Sequence, residues 1–139
     1  MTSLARPLLL AVALAALLAA TGCESAPTRH ARSTQTFTYR AGAAPASVDM
    51  EIVTELTVVL PGPEPGSGLA WAIVSNNNKV IDQTASLRVV TSPGGAPVTT
   101  TTFYALKPGK SLLQFFLLPV SQREAFPVQK CEINVRVRD

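Results

Sequence analysis

The sequence predicts an all-β protein, built as a sandwich of two sheets that follows an export signal. Three observations support this prediction. Apolar and polar residues alternate with a period of two in several segments after residue 35, as in strands with one buried and one solvated face. The 11 prolines and 8 glycines of the chain supply turn signals between those segments. No segment after residue 23 shows the 3.6-residue period of an amphipathic helix.

The first 22 residues have the features of a lipoprotein signal peptide. Arg6 gives a positive start, and the 13 apolar residues from Leu8 to Ala20 follow. As a helix this run would be about 20 Å long, which is less than the ~30 Å hydrocarbon core of a bilayer. The segment Ala20-Thr21-Gly22-Cys23 then resembles the lipobox of bacterial lipoproteins, with Ala20 in place of the usual leucine. The resemblance implies that Cys23 is lipidated and becomes the new amino terminus. The alternative is an ordinary cleaved signal with a chance cysteine.

Residues 23–35 are predicted to be the lipidated cysteine and a flexible tether. The stretch from Glu24 to Gln35 contains no large apolar side chain, so it cannot bury enough surface to offset the entropy cost of ordering. Several acyl chains on Cys23 would anchor the protein to a membrane that it does not cross. Because Glu24 rather than Asp follows the cysteine, analogy with enteric lipoproteins favours the outer membrane, on its periplasmic or surface face, over the inner membrane.

Residues 36–139 are predicted to form one domain, whose size of about 100 residues suits an immunoglobulin-like fold. The last segment has the clearest alternation, with Cys131, Ile133 and Val135 on one face and charged or polar residues on the other. Short strands at this spacing predict an immunoglobulin-like antiparallel β-sandwich of about seven to nine strands. The strand-like segments are Phe37 to Tyr39, Val48 to Ile52, Leu56 to Leu60, Gly68 to Val74, Leu112 to Leu118 and Cys131 to Val137.

Two apolar segments depart from simple alternation. The first contains Trp71, the only tryptophan, which we expect to be a structural core residue because it can bury more apolar area than any other side chain. The second runs from Leu112 to Leu118 and is apolar at six of seven positions, so both of its faces are hydrophobic. Its outer face is either covered within the chain, which we favour, or presented to a partner.

The composition disfavours an enzyme and a nucleic-acid-binding protein. One histidine and two cysteines leave almost no material for a catalytic triad or a metal site, and His30 falls in the predicted tether. The 12 basic residues are opposed by 9 acidic ones and are dispersed without interleaved aromatics. We therefore predict no catalytic residue, no metal and no cofactor. Cys131 is expected to be an inert core thiol.

The loops between the predicted strands resemble a known family, the chagasin-like inhibitors of cysteine proteases. Pro65, Gly68, Ala70 and Trp71 match by type and spacing the family's Asn-Pro-Thr-Thr-Gly-aromatic-x-Trp segment, which follows a strand ending in Leu-Pro, as Leu60-Pro61 does here. Gly94-Gly95 ahead of Phe103 is similar to the Gly-rich second loop, and Leu118-Pro119-Val120 stands where the family has Arg-Pro-Trp. The matches keep their order from about residue 55 to 137.

The resemblance implies an immunoglobulin-like fold with three loops at one end that block the cleft of papain-like proteases. Two departures bear on this activity, because Leu118 and Val120 replace an arginine and a tryptophan, residue types that anchor interfaces. The expected partner is a papain-like cysteine protease. The alternative is a non-catalytic envelope lipoprotein whose sandwich binds another protein as a scaffold or assembly factor. The proposed contact residues are Glu64, Pro65, Gly66, Ser67, Gly68, Gly94, Gly95, Leu118, Pro119 and Val120.

Overall fold

The computed structural model describes residues 30–122 and 124–139. The predicted signal peptide (1–22), Cys23 and the first part of the tether lie outside the described residues. All regular secondary structure in the described part is β-strand, and nothing there forms a helix with the length and apolar character needed to cross a membrane. The strands are β1 (Ser33–Thr38), β2 (Ala46–Glu51), β3 (Thr54–Pro61), β4 (Leu69–Ser75), β5 (Ile81–Val90), β6 (Val98–Ala105), β7 (Gly109–Pro119) and β8 (Gln129–Arg138).

The eight strands form two four-stranded sheets, which confirms the predicted all-β sandwich. The first sheet has the order β1-β3-β6-β5 and the second has the order β2-β8-β7-β4. Since β3 and β4, and likewise β6 and β7, are consecutive strands in different sheets, the chain crosses repeatedly from one sheet to the other. Each sheet has one inner face, and the two inner faces enclose the core.

The sandwich is not wholly antiparallel, because β1 pairs parallel with β3 and β2 pairs parallel with β8. The physical reason is the path of the amino-terminal strands. The chain passes from β1 in the first sheet to β2 in the second and back to β3, and it reverses direction at each passage. Strands two passages apart therefore run the same way, and β1 can only join β3 in parallel.

The amino-terminal strand begins earlier than the sequence suggests. Ser33 to Gln35, expected in the tether, pair with Thr54 to Leu56 of β3, and the hydroxyls of Ser33 and Thr54 lie 3.1 Å apart. These residues contribute backbone pairing rather than apolar burial, so hydropathy alone does not reveal them.

The core follows the alternation in the sequence. In β8, Cys131, Ile133, Val135 and Val137 are all buried, while the residues between them are exposed or half-buried. In the remaining strands the same period-two pattern buries Leu56, Val58 and Leu60 of β3 and Leu113, Phe115 and Leu117 of β7. Phe103 of the first sheet meets Phe115 of the second edge to face, with ring centroids 6.2 Å apart. All of these residues lie within 33–138, so the segment contains its own hydrophobic core.

The apolar strand β7 lies in the interior of the second sheet, between β8 and β4. Its outer face is partly covered by the chain itself: the Lys130 ammonium lies 5.3 Å from the centre of the Phe116 ring, and Leu118 is buried. Leu112, at the other end of this face, keeps 39% of its surface exposed. Other residues of the chain therefore cover part of the outer face of β7 and leave the end at Leu112 exposed.

Candidate functional site

Strand register brings three connections to one end of the sandwich, which we call the loop end. Pro61, the last residue of β3, pairs with Val98, the first of β6, and Leu69, the first of β4, pairs with Pro119, the last of β7. The connections at these strand ends are the first loop (62–68), the second loop (91–97) and the third loop (120–128). The amino-terminal end of β1 pairs with the start of β3 and so lies at the opposite end.

Two backbone hydrogen bonds tie the first loop to the other two. The Gly62 amide donates to the Pro97 carbonyl of the second loop at 2.8 Å, and the Val120 amide of the third loop donates to the Gly68 carbonyl at 2.8 Å. At Gly62 the backbones approach so closely that a Cβ would lie 2.5 Å from the Pro97 carbonyl carbon. The three loops are therefore joined through the two ends of the first.

Trp71 supports the first loop from below. Its indole N–H donates to the Pro61 carbonyl at 2.7 Å, joining β4 of one sheet to the end of β3 in the other. The Tyr39 ring packs edge to face against the indole at a centroid distance of 6.1 Å, and the Tyr39 hydroxyl donates to the Lys130 carbonyl at 2.9 Å. Trp71 is 6% exposed and belongs to the core, so it holds the loop without taking part in a surface.

The proposed contact residues of the first loop, Glu64 to Gly68, are all exposed. A turn bond from the Ser67 amide to the Glu64 carbonyl, at 3.0 Å, shapes the tip. Gly66 and Gly68 have φ angles of 80° and 69°, a left-handed conformation that side chains with a Cβ rarely adopt. The backbone conformation of the tip therefore explains both glycines.

In the second loop, Gly94 and Gly95 are exposed, and the Gly95 amide closes a turn on the Ser92 carbonyl at 3.0 Å. The third loop presents Val120 at 60% exposure next to a half-buried Pro119. Leu118 differs from the other candidates, since it lies in β7 and is only 9% exposed. Its side chain lies beside Ala70, its cross-strand neighbour, rather than at a loop tip.

Further exposed apolar residues, which the sequence did not single out, also lie at the loop end. Phe126 is 97% exposed and Val128 is 60% exposed in the third loop, and Val89 is 56% exposed where β5 enters the second loop. The sequence signal that could have revealed the exposure of Phe126 is its position before Pro127, in a segment without the alternation of a strand. A large apolar residue in such a segment has no sheet face to bury it.

The loop end presents exposed apolar side chains, among them Val120, Phe126 and Val128. Among residues 30–122 and 124–139, no three His, Cys, Asp or Glu side chains come together as metal ligands. The Cys131 thiol is buried in the core, and desolvation, with a smaller contribution from the negative charge of Glu132, raises its pKa to about 12. The thiol is therefore protonated and unreactive at neutral pH.

Solved structures with the same fold include an inhibitor of cysteine proteases. The chain is similar to EhICP2, a cysteine protease inhibitor from Entamoeba histolytica, with a TM-score of 0.64 over 76% of this chain and 96% of that one at 14% identity. It is also similar to PbICP-C, solved in complex with falcipain-2, with a TM-score of 0.55 over 75% and 99% of the two chains at 16% identity. The fold is shared with these proteins.

A third similar structure, amebosin in solution, has a TM-score of 0.50 over 76% of this chain and 97% of that one, at 12% identity. No family model matches the sequence, and no curated protein matches it. At identities of 12–16% the likeness establishes the immunoglobulin-like sandwich as a common architecture. What the loops bind is a separate question, since one fold carries many functions.

Proposed function

We propose that this protein inhibits papain-like cysteine proteases by placing its three loops in the substrate cleft. The observation that carries the proposal is the joining of those loops at one end of a fold shared with cysteine protease inhibitors. The partner would be the protease itself, and no cofactor or metal takes part. The order of the sequence matches along the chain supports the same assignment.

The loop end is suited to act as a rigid wedge. The bonds from Gly62 to Pro97 and from Val120 to Gly68 fix the loops relative to one another, and Trp71 fixes the base of the first loop. A surface that is ordered before it binds loses little conformational entropy on association, so more of the contact energy appears as affinity. An ordered loop is also a poor protease substrate, because cleavage requires it to unfold locally.

We further propose that Cys23 carries a lipid anchor and that the protein faces outward from an envelope membrane. The chain enters β1 at Ser33, at the end of the sandwich opposite the three loops. A tether arriving there would leave the loop end directed away from the bilayer. This arrangement would let an anchored inhibitor meet a soluble protease without crowding against lipid.

One observation favours a second candidate, an envelope lipoprotein that binds another protein as a scaffold. Val120 of the third loop and the buried Leu118 of β7 stand where the resemblance has tryptophan and arginine. Loss of two such anchors can weaken an interface by several kcal/mol. In this case the same exposed loop end would bind a partner other than a protease.

A papain inhibition assay separates the two candidates, because only the first candidate inhibits a papain-like protease. Residues 30–139 are suitable for the assay, since this segment contains all eight strands and the core of the described structure. We expect stoichiometric inhibition with an inhibition constant on the order of nanomolar. A matched control is Glu64→Lys with Val120→Asp, which alters two exposed loop tips without touching the core and should abolish tight inhibition. A wild-type segment that is folded but leaves papain fully active at ~10 μM would contradict the proposal and favour the scaffold.

A further inference from the structure

Phe126 is the most exposed large apolar side chain in the described part of the protein. It keeps 97% of its surface accessible, whereas Phe103 and Phe115 are fully buried and Phe37 and Phe116 are half-buried. Val120 and Val128, each 60% exposed, belong to the same loop. Large exposed apolar side chains gathered in one loop favour an interaction site.

The loop that carries Phe126 is held by hydrogen bonds at both ends and within. The Val120 amide is bonded to the Gly68 carbonyl at 2.8 Å, and the Val128 amide is bonded to the Leu117 carbonyl at 2.9 Å. Between them, the Ala125 amide donates to the Gln122 carbonyl at 3.1 Å. Pro127 restricts the backbone of Phe126 to extended conformations. The ring is therefore held out from the surface by its own loop.

We propose that Phe126 is the main apolar anchor of the protease contact and sets its specificity by entering an apolar subsite of the cleft. The inference rests on the proposed function and adds a residue outside the loop segments predicted from the sequence. Phe126 belongs to the same third loop as Val120, which stands where the resemblance has a tryptophan. An aromatic six residues further along the loop supplies the large anchor that position 120 lacks, and aromatic anchors carry much of the energy of such interfaces.

Apolar contact also fits the charges at this end. Glu64 and Glu124 are the charged residues among the described positions of the three loops. A cleft that accepts this loop would receive Phe126 with Val120 and Val128 beside it. The substrates of such a protease would have a large apolar or aromatic side chain at the matching position.

The test compares inhibition constants against papain for residues 30–139 and three variants. Phe126→Ala should raise the inhibition constant at least 30-fold, while Phe126→Leu should raise it only several-fold, because a large apolar side chain is kept. Leu112→Ala is the matched control: Leu112 is an exposed apolar residue on the outer face of β7, far from the loop end. It should change the constant less than 3-fold.

The possible outcomes separate this inference from the proposed function. If the wild-type segment inhibits papain and Phe126→Ala inhibits equally well, the inference is overturned while the proposed function stands. If the wild type does not inhibit, both are overturned. A lower denaturation midpoint for Phe126→Ala would mean that the ring packs within the fold, which also overturns the inference.

Two other occupants of this surface are distinguished with the same proteins. Phe126-dependent binding to vesicles of phosphatidylglycerol and phosphatidylethanolamine, with inhibition unchanged in Phe126→Ala, would assign the ring to a lipid surface. Phe126-dependent dimerisation in sedimentation experiments, again with inhibition unchanged, would assign it to a second copy of the chain. Either result would overturn the inference. A protein that is monomeric, does not bind the vesicles and requires Phe126 for inhibition would support it.

Discussion

The indole N–H of Trp71 donates a 2.7 Å hydrogen bond to the carbonyl oxygen of Pro61. The two residues flank the first loop, so this bond closes the loop at its base and joins the two sheets at the loop end. Trp71 is 6% exposed, and its ring contributes apolar burial in addition to the hydrogen bond. One side chain thus links the stability of the sandwich to the shape of its candidate binding site.

Substitutions at Trp71 should separate the contribution of its hydrogen bond to stability from the contribution of its buried ring. We expect Trp71→Phe to lower the free energy of unfolding by about 1–3 kcal/mol, because it leaves the Pro61 carbonyl without its donor. Trp71→Ala should lower it by roughly 3–5 kcal/mol, since it also empties a large aromatic site. Urea denaturation of residues 30–139 measures both, with the exposed Val74→Ala as a control that should change little. Equal stability of Trp71→Phe and wild type would show that the hydrogen bond contributes nothing.

The close approach at Gly62 predicts sensitivity to a single methyl group. A Cβ there would lie 2.5 Å from the Pro97 carbonyl carbon and oxygen, so Gly62→Ala must push the first and second loops apart. Overpacking of this kind costs about 1–3 kcal/mol. We expect a lower denaturation midpoint together with weaker papain inhibition.

Gly95→Ala is the matched control for that change, because its Cβ would meet Ser92 at an ordinary 3.5 Å. It should leave stability and inhibition nearly unchanged. Equal effects of the two alanines would show that the Gly62–Pro97 contact does not set the relative position of the loops.

An added aromatic at position 120 should strengthen protease binding. Val120 is 60% exposed and stands where the resemblance has a tryptophan, so Val120→Trp places an aromatic ring at the tip of the third loop. If the ring recovers about 1 kcal/mol, the inhibition constant should fall about five-fold. Leu112→Trp puts the same ring on an exposed strand position away from the loop end and should have no effect. A similar gain for both variants would indicate nonspecific adhesion.

The buried thiol predicts that the domain loses stability in alkaline solution. Desolvation, assisted by the charge of Glu132, raises the pKa of Cys131 from 9.0 to about 12. Between these values the unfolded chain releases a proton that the folded chain keeps, so ionisation stabilises the unfolded state as pH rises. The free energy of unfolding should fall by up to about 1.4 kcal/mol per pH unit between pH 9 and 12. Below pH 9 this group contributes no slope.

Comparison with Cys131→Ala isolates the contribution of the thiol. The variant is less stable at neutral pH because it leaves a small cavity, but its stability should fall less steeply in alkali than that of the wild type. Parallel alkaline profiles for the two proteins, measured by urea denaturation at each pH, would assign the loss to other groups.

Lipidation at Cys23 remains a sequence prediction, because the residue lies outside the described part of the chain. Cys23→Ser should abolish incorporation of a palmitate analogue, since the thioether requires that thiol. Cys131→Ser should still be labelled in living cells, because its predicted lipobox is intact. Continued labelling of the Cys23→Ser protein would disprove the lipoprotein assignment.

Most of the fold could be predicted because it depends on a local pattern. The alternation in β8 places Cys131, Ile133 and Val135 in the core as expected, and the turn signals separate real strands. The parallel pairing of β1 with β3 could not be predicted, since it depends on the route of the chain between sheets. The polar start of β1 at Ser33 carried no hydropathy signal.

The candidate site was predictable where glycine and proline mark a loop. The family resemblance puts Leu118 in a contact loop, whereas the structure places it in β7, where it is buried. Its burial depends on neighbours from another strand, which the local sequence does not reveal. Phe126 was missed for the opposite reason, because hydrophobicity suggests burial and only the folded loop leaves the ring exposed.

The burial of Cys131 has a practical consequence for experiments on the loops. In a chain that begins at residue 30 it is the only cysteine, and its high pKa and burial keep it from reacting with maleimides near neutral pH. A cysteine introduced at Ser67 or Ser121, both exposed, would therefore take up a fluorophore or spin label alone. The first and third loops could be tagged in turn, and their motion followed spectroscopically, with the native core thiol left in place.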